Sequence, residues 1–402
     1  MNVIFISPHF PLYFHNFCSR LKQRGVNVLG IGDASYEEIS KETKEALTEY
    51  YRVNSLENFE EVYRSVGYYI SKYGRIDYIE SQNEYWLEIE AKLRTEFNIN
   101  SGTKFENLAP MKYKSKMKQV YKECGIPVAR YIVDASLEEA LAFTKTVGYP
   151  VVVKPDNGVG AISTYKLKAD EEVEYFYQTK HYGVSYIMEE YVSGHVETFD
   201  GITDANKNVL ICSSHVMLTS IMDNVNEASD TAFYSQIVED SDIKEIGTKV
   251  VQAFDTRSRF FHFEFFRLNE DKKGLGKKGE LVGLEVNMRA PGGYIPDMIN
   301  YTYDEDVYSL WADMLVGNIH QEAHIQKYVV GYIGRRNGIE YSHTLEQIRE
   351  EYKEHIVEEV EVPEVLSPAM ANHVFLVRTK TTEELFTIIR YVLQRNDGSQ
   401  WI

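Results

Sequence analysis

The run Leu281-Val282-Gly283-Leu284-Glu285-Val286-Asn287-Met288-Arg289-Ala290-Pro291-Gly292-Gly293 organises the rest of the chain. It begins as a strand, so its side chains alternate between two faces with a period of two. Glu285, Asn287 and Arg289 then share one face, and Val286 and Met288 point into the core behind them. An acid, an amide oxygen and a cation in file on one strand are expensive to bury without partners. Two hard oxygen ligands and a guanidinium suit a magnesium-bound triphosphate: the oxygens hold the metal and the guanidinium grips a phosphate.

A second strand works with the first. Arg259-Phe260-Phe261-His262-Phe263-Glu264-Phe265-Phe266-Arg267 is aromatic and alternating. The charged, glycine-punctuated segment Asn269–Gly279 between the two predicts a hairpin connection. Folding the hairpin symmetrically about it puts Glu264 opposite Glu285. Side by side, two carboxylates repel unless a divalent cation sits between them. The alternative is a solvated sheet face with scattered charges. Five phenylalanines close to Glu264 favour a site.

The 402 residues predict two or three domains with substantial cores. A net charge of −18 argues against nucleic acid as the main partner, since phosphate binding is mostly a cation effect. Cys18, Cys124 and Cys212 stand far apart without metal-ligand spacing and read as reduced thiols of a cytoplasmic protein. No apolar run approaches membrane-spanning length, and no signal-peptide pattern opens the chain, so no membrane partner is expected.

A buried-strand signal at Asn2–Ser7 is followed by the Pro8-His9-Phe10-Pro11 loop, a helix to about Arg24 and a second strand at Val26–Ile31. This opening predicts a parallel sheet with helices on its faces. Gly30-Ile31-Gly32-Asp33 lacks the third glycine of a dinucleotide fingerprint, and Gly274–Gly279 joins two strands, so neither is a dinucleotide site. A strand at Ile76–Glu80 runs into Ser81-Gln82-Asn83-Glu84 before a helix around Trp86–Phe97. Ligands gather beyond the carboxyl ends of such strands, where Glu84 and His9 both lie. Glu84 suits a substrate amine or, equally, the start of a helix dipole. Residues 1–105 make the first domain.

Lys112, Lys114, Lys116 and Lys118 crowd a basic helix reaching Cys124, and a solvated face accounts for most of them. A strand carrying Lys154 enters a small loop, Asn157-Gly158-Val159-Gly160, whose amides suit phosphates without forming a P-loop. The stretch Tyr186–Glu197 reads as a strand that ends in an acidic turn, and a hairpin follows with its turn at Asp204–Lys207. Residues 219–236 read as a polar, irregular lid. A helix at about Asp304–Val316 precedes a last segment with strands near Tyr328–Gly334 and His373–Thr379 and a helix at Thr382–Gln394.

Together these pieces resemble the ATP-grasp superfamily, in the branch that includes L-amino acid ligases, biotin carboxylase and carbamoyl-phosphate synthetase. The matching residues are Lys114 before Pro127, Lys154 before the Gly158–Gly160 loop, Glu189-Glu190-Tyr191-Val192 with Glu197, then Glu264, then Glu285-Val286-Asn287-Met288-Arg289. The resemblance covers roughly residues 1–315. It implies α/β and α+β architecture: a Rossmann-like first domain at 1–105, a two-lobed ATP-grasp domain at 106–318 and a small C-terminal α+β segment at 319–402. The lobes divide near residue 190.

Carried over by resemblance, Lys114, Lys154, Gly158 and Gly160 would contact ATP phosphates. Glu190, Tyr191 and Val192 would form the adenine hinge, and Glu197 would hold the ribose. Glu264, Glu285 and Asn287 would bind Mg2+ or Mn2+, and Arg289 would stabilise the phosphoryl group in transfer. Glu84 and His9 are the substrate candidates from the first domain. The expected activity is an ATP-dependent ligase joining a small carboxylate to an amine through an acyl phosphate. A bicarbonate-using carboxylase or carbamoyl-phosphate-type enzyme, and a non-catalytic ATP-binding regulator, are the alternatives. The last 80 residues could form a homodimer contact or cap the site.

Overall fold

The computed structural model describes residues 1–158, 163–219, 229–239, 241–319 and 324–398. Four strands of the first domain, β1 (Asn2–Ile6), β2 (Asn27–Gly32), β3 (Glu49–Arg52) and β4 (Tyr78–Glu80), form a sheet in the order β3-β2-β1-β4. Every pairing in it is parallel, as the opening predicts. Val3–Ile6 and Val28, Leu29 and Ile31 are buried because helices cover both faces, which makes these strands continuously apolar. One covering helix, Phe59–Tyr73, starts where the Asn58 side chain accepts from the Glu61 amide and stops at Gly74, whose φ is 81°.

A second sheet, order β5-β8-β6-β7, contains β5 (Tyr131–Val133), β6 (Val151–Pro155), β7 (Tyr165–Leu167) and β8 (Tyr186–Glu190). Its strands are antiparallel. The helices Leu137–Val147 and Asp170–Thr179 cover one face, packing Ala140, Val173 and Phe176 onto Val151, Val153 and Met188.

The third sheet holds β9 (Gly194–Thr203), β10 (Val209–Met217), β11 (Thr231–Gln236), β12 (Arg259–Leu268), β13 (Leu281–Asn287), β14 (Val329–Arg335), β15 (Ile356–Glu361) and β16 (His373–Thr379). Its order is β13-β12-β9-β10-β11-β14-β16-β15. Strands on either side of residue 318 therefore share one sheet, joined where β11 pairs with β14. The lid expected at 219–236 is corrected at its end: Thr231–Gln236 is a central strand, and residues 220–228 lie outside the described residues. The helix expected at about Asp304–Val316 is present as Val307–Val316, and a further helix, Ile295–Tyr303, precedes it. Asp306 caps Val307–Val316 by accepting from the Ser309 amide.

The hairpin β12–β13 is the frame of the site. Phe261, Phe263, Phe265, Val286 and Met288 form one core with Tyr121, Phe199 and Phe254. Each such side chain contributes about 1.5–3 kcal/mol when fully buried. At Gly283 a β-carbon would stand 2.8 Å from the Tyr121 ring, so glycine lets the helix Lys114–Glu123 dock against β13. That docking delivers Lys114 to the opposite face.

Candidate active site

Register brings the expected residues together. Glu264 stands directly opposite Glu285, and His262 opposite Asn287. On the turn side of this pair the register slips between Glu264 and Phe265, leaving Leu284 as a bulge whose extra residue sets Glu285 opposite Glu264. Lys114 Nζ donates to Glu285 Oε1 at 2.8 Å and to the Gly158 carbonyl at 2.8 Å. Burial pushes the Lys114 ammonium down, but the Glu285 carboxylate more than offsets it, so its pKa is raised. This lysine ties the phosphate-loop segment to the hairpin.

Asn287 carries the clearest sign of a missing partner. Its Oδ1 is buried, and no donor among the described residues reaches it. An unsatisfied buried acceptor costs about 1–3 kcal/mol. A divalent cation would satisfy it together with Glu264 and Glu285, an all-oxygen donor set suited to Mg2+. The residues fit the metal.

Arg289 follows β13 directly. Its Nη1 donates to the Ala290 carbonyl at 2.9 Å and its Nη2 to Glu84 Oε2 at 3.2 Å. The Ala290 amide donates to Gln82 Oε1 at 2.8 Å, so the segment beyond β4 is bolted to the hairpin's exit. Glu84 is thus paired with Arg289, and it also opens the short helical turn Glu84–Trp86. His9 does not reach this cluster; its Nε2 lies 3.4 Å from Asp33 Oδ1 within the first domain, and burial lowers its pKa.

Lys154 and Lys118 share one acid, Glu189, at 3.0 and 2.7 Å. Burial raises the Glu189 carboxyl, but the two ammonium groups overturn this and hold it at about 2. The solvated face expected for the helix is corrected at two positions: Lys114 and Lys118 are buried, whereas Lys116 is exposed. Both buried lysines have found carboxylates on neighbouring elements.

Residues 113–258 match the family described as the carbamoyl-phosphate synthase L chain, ATP binding domain. This segment is an ATP-grasp domain. It includes both lysines and the expected hinge but stops short of the β12–β13 hairpin. The L-arginine-specific L-amino acid ligase of Bacillus subtilis is 28% identical over 275 residues, which are 66% of this chain and 63% of that protein. The match thus spans less than two thirds of the relative's length. Among solved structures, an L-amino acid ligase from Bacillus licheniformis aligns with TM-score 0.72 at 16% identity, covering 99% of this chain and 97% of the other. The biotin carboxylase domain of Hydrogenobacter thermophilus 2-oxoglutarate carboxylase, solved with MgADP, aligns with TM-score 0.69 at 15% identity, covering 97% and 88%. These two likenesses concern the fold.

At the other end of the ATP-grasp domain, the expected hinge residues differ among themselves. Glu190 Oε1 accepts from the Arg130 amide at 2.8 Å, and its Oε2 from Arg130 Nη2 at 2.6 Å. Lys272 Nζ stands 3.4 Å from Glu190 Oε2 and also donates to the Tyr191 carbonyl. The Glu190 side chain is therefore a strut. Val192 is buried, and neither its amide nor its carbonyl has a hydrogen-bond partner among the described residues. Lys166 Nζ sits 4.0 Å from the centre of the Tyr191 ring.

Glu197 is gripped at both oxygens by Arg267, Nε at 2.7 Å and Nη2 at 2.7 Å. His195 and Gln236 approach it at 3.1 Å each. Burial raises the Glu197 carboxyl, and His195 and Arg267 more than reverse this, to about 2. Gly158 lies at Lys114; Gly160 lies outside the described residues.

Sequence reasoning assigned no site role to Lys118, Glu189, Gln82, His262 or Asp200. His262 lies two residues from Glu264 on the same face of β12, so strand alternation alone could have found it. Asp200 sits on β9 opposite His262, a pairing no local pattern announces.

Proposed function

We propose that the chain is an ATP-dependent carboxylate–amine ligase. The observation that carries this is the buried, unpartnered Asn287 oxygen beside two opposed carboxylates, with Arg289 at the strand's exit. The ATP-grasp domain and the ligase relative support the same reading. Glu264, Glu285 and Asn287 would hold Mg2+, which supplies charge neutralisation at the phosphates when bound. Lys114 and Lys154 would face phosphate oxygens, and the Val192 amide and carbonyl would read the adenine edge.

In the reaction, a substrate carboxylate oxygen attacks the γ-phosphorus. An O–P bond forms, the bond to the β-phosphate oxygen breaks, and ADP leaves. Amine nitrogen then attacks the acyl carbon, the carbon–oxygen bond to phosphate breaks, and the amine loses a proton to solvent. Arg289 would stabilise charge that develops on the transferred group. No protein nucleophile takes part. Glu84, held by Arg289, faces the same junction and would receive the amine or release the arginine when substrate enters.

The test is magnesium-dependent ADP release over pooled amino acids, followed by tracing isotopic oxygen from the carboxylate. Transfer of one labelled oxygen into phosphate supports the acyl phosphate. ADP release without label transfer would sink it.

A further inference from the structure

Three adjacent strands place six polar side chains in a lattice on one face. On β9 these are Thr198 and Asp200, on β12 Glu264 and His262, and on β13 Glu285 and Asn287. Thr198 opposes Glu264 and Asp200 opposes His262. Glu285 and Asn287 oppose the same two residues from the other side. The ligase reading uses Glu264 and the β13 pair. It leaves Asp200 and His262 unexplained, although Asp200 is wholly buried and His262 nearly so.

Their hydrogen bonds form a chain directed at the expected metal ligand. His215, wholly buried on β10, donates from Nδ1 to Asp200 Oδ2 at 2.8 Å. Thr198 Oγ1 donates to the same oxygen. The other carboxylate oxygen of Asp200, Oδ1, accepts from His262 Nδ1 at 2.5 Å. Finally His262 Nε2 donates to Glu264 Oε1 at 3.1 Å. A ring held by one nitrogen could still turn; a ring held at both cannot. Glu264 Oε2 has no hydrogen bond among the described residues, and Glu285 stands opposite Glu264 on the next strand.

Satisfying Asp200 did not require His262 to reach Glu264. His215 and Thr198 already supply Asp200 Oδ2, and any donor at position 262 would have served Oδ1. The second nitrogen's bond is therefore the informative one. We infer that Asp200 and His262 are positioning residues, a buried relay that fixes Glu264 Oε1 so that Oε2 is presented to the divalent cation. Neither touches substrate. Outer partners of this kind typically alter metal affinity about 10–100-fold when removed. The inference rests on Glu264 and Asn287 being metal ligands, and the test separates the two.

Asparagine can imitate the δ-nitrogen of histidine, and glutamine the ε-nitrogen. His262→Asn keeps a donor to Asp200 and loses the one to Glu264; His262→Gln keeps the donor to Glu264. Mn2+ binding in the presence of a non-hydrolysable ATP analogue is measured by electron paramagnetic resonance, alongside melting temperature. The expected result is a loss of Mn2+ affinity of about 10-fold or more in His262→Asn at near-normal melting temperature. His262→Gln should recover most of it. Wild-type Mn2+ affinity in a folded His262→Asn, or equal losses in both variants, overturns the relay.

Glu264→Gln and Asn287→Ala are titrated beside them. If these lose Mn2+ while His262→Asn does not, only the positioning role falls. If all retain it, the metal assignment falls as well. Should neither His262 variant fold, 15N-histidine spectra of the unaltered protein decide. Mg2+ with the analogue must shift the His262 Nε2–H resonance, and its indifference overturns the inference.

Discussion

Two acidic clusters of the molecule are built oppositely. Around β13, donor atoms stand open: Asn287 Oδ1 has no partner among the described residues, and Glu264 and Glu285 face one another. Where β8 leads into β9, the acids are saturated: Glu197 takes both forks of Arg267, and Glu190 takes the Arg130 amide and guanidinium. Residue type alone would give all four glutamates similar roles. Counting partners separates them, because a carboxylate with its oxygens occupied stabilises the fold, whereas one facing an open acceptor invites a cation.

The most severe test of the open cluster is Asn287→Ala. It removes one oxygen and leaves Lys114, Glu285 and the apolar back face in place. We expect a loss on the order of 10³-fold in kcat, comparable to removing a dedicated transition-state donor, with little change in melting temperature. Magnesium-dependent ADP release and a thermal melt, measured together, check it. Substantial activity in a folded variant would show that the open oxygen is incidental.

Arg289 should come next. Its guanidinium lies between the Ala290 carbonyl and Glu84, at the junction with the first domain. Lysine cannot reproduce a two-pronged contact, so Arg289→Lys should reduce kcat on the order of 10²-fold while nucleotide affinity changes far less. Steady-state kinetics and titration with a non-hydrolysable analogue separate the effects. Weakened analogue binding with near-normal kcat would move Arg289 from catalysis to binding.

The open cluster was legible because its information is local. The Asn269–Gly279 connection sets the hairpin, and folding it back about that connection brings Glu264 to the level of Glu285. The bulge at Leu284 lies between the turn and the pair, and its extra residue is what sets Glu285, not Leu284, against Glu264. What was not legible depends on distant pairings. Asp200 meets His262 across 62 residues of sequence, and Lys118 is buried only because Glu189 arrives from another strand. β11 was hidden for a different reason: Thr231-Ala232-Phe233-Tyr234-Ser235-Gln236 is short and half polar, and only its place between β10 and β14 makes it a strand.

The saturated cluster predicts a stability effect instead. Glu197→Ala leaves Arg267 without its bidentate partner, although Asp242 remains at 2.6 Å. We expect a loss of about 3 kcal/mol in unfolding free energy, with ADP affinity of the folded protein altered only a few-fold. The sign with pH follows from a depressed carboxyl. Its folded pKa is about 2 against an ordinary 4.5, so this stabilisation is present above 4.5 and is lost as pH falls towards 2. Denaturant melts from pH 6 downward should show the variant's deficit shrinking. An unchanged melt with ADP binding reduced tenfold would make Glu197 a nucleotide ligand and dissolve the contrast between the clusters.

The smallest effects concern the lysines, where the contrast is finest. Lys154 is mostly buried but shares Glu189 with Lys118, so it is neither open nor fully saturated. Lys112 ends the preceding short helix and is half-exposed, with no ion pair among the described residues. If Lys154 contacts phosphate, Lys154→Ala should weaken analogue binding about tenfold, roughly 1.4 kcal/mol. Glu189 keeps Lys118 in the variant, so its charge stays compensated and the fold should hold. Lys112→Ala removes a solvated charge, and its effect should stay within about 0.5 kcal/mol, as for most surface substitutions. Calorimetric titration of both variants, repeated at high salt, decides the matter. A solvated lysine acting at long range is screened by salt, whereas a buried one in contact with phosphate is screened much less. Equal losses that vanish together in salt would mean that Lys154, too, belongs to the general field of the protein and not to the site.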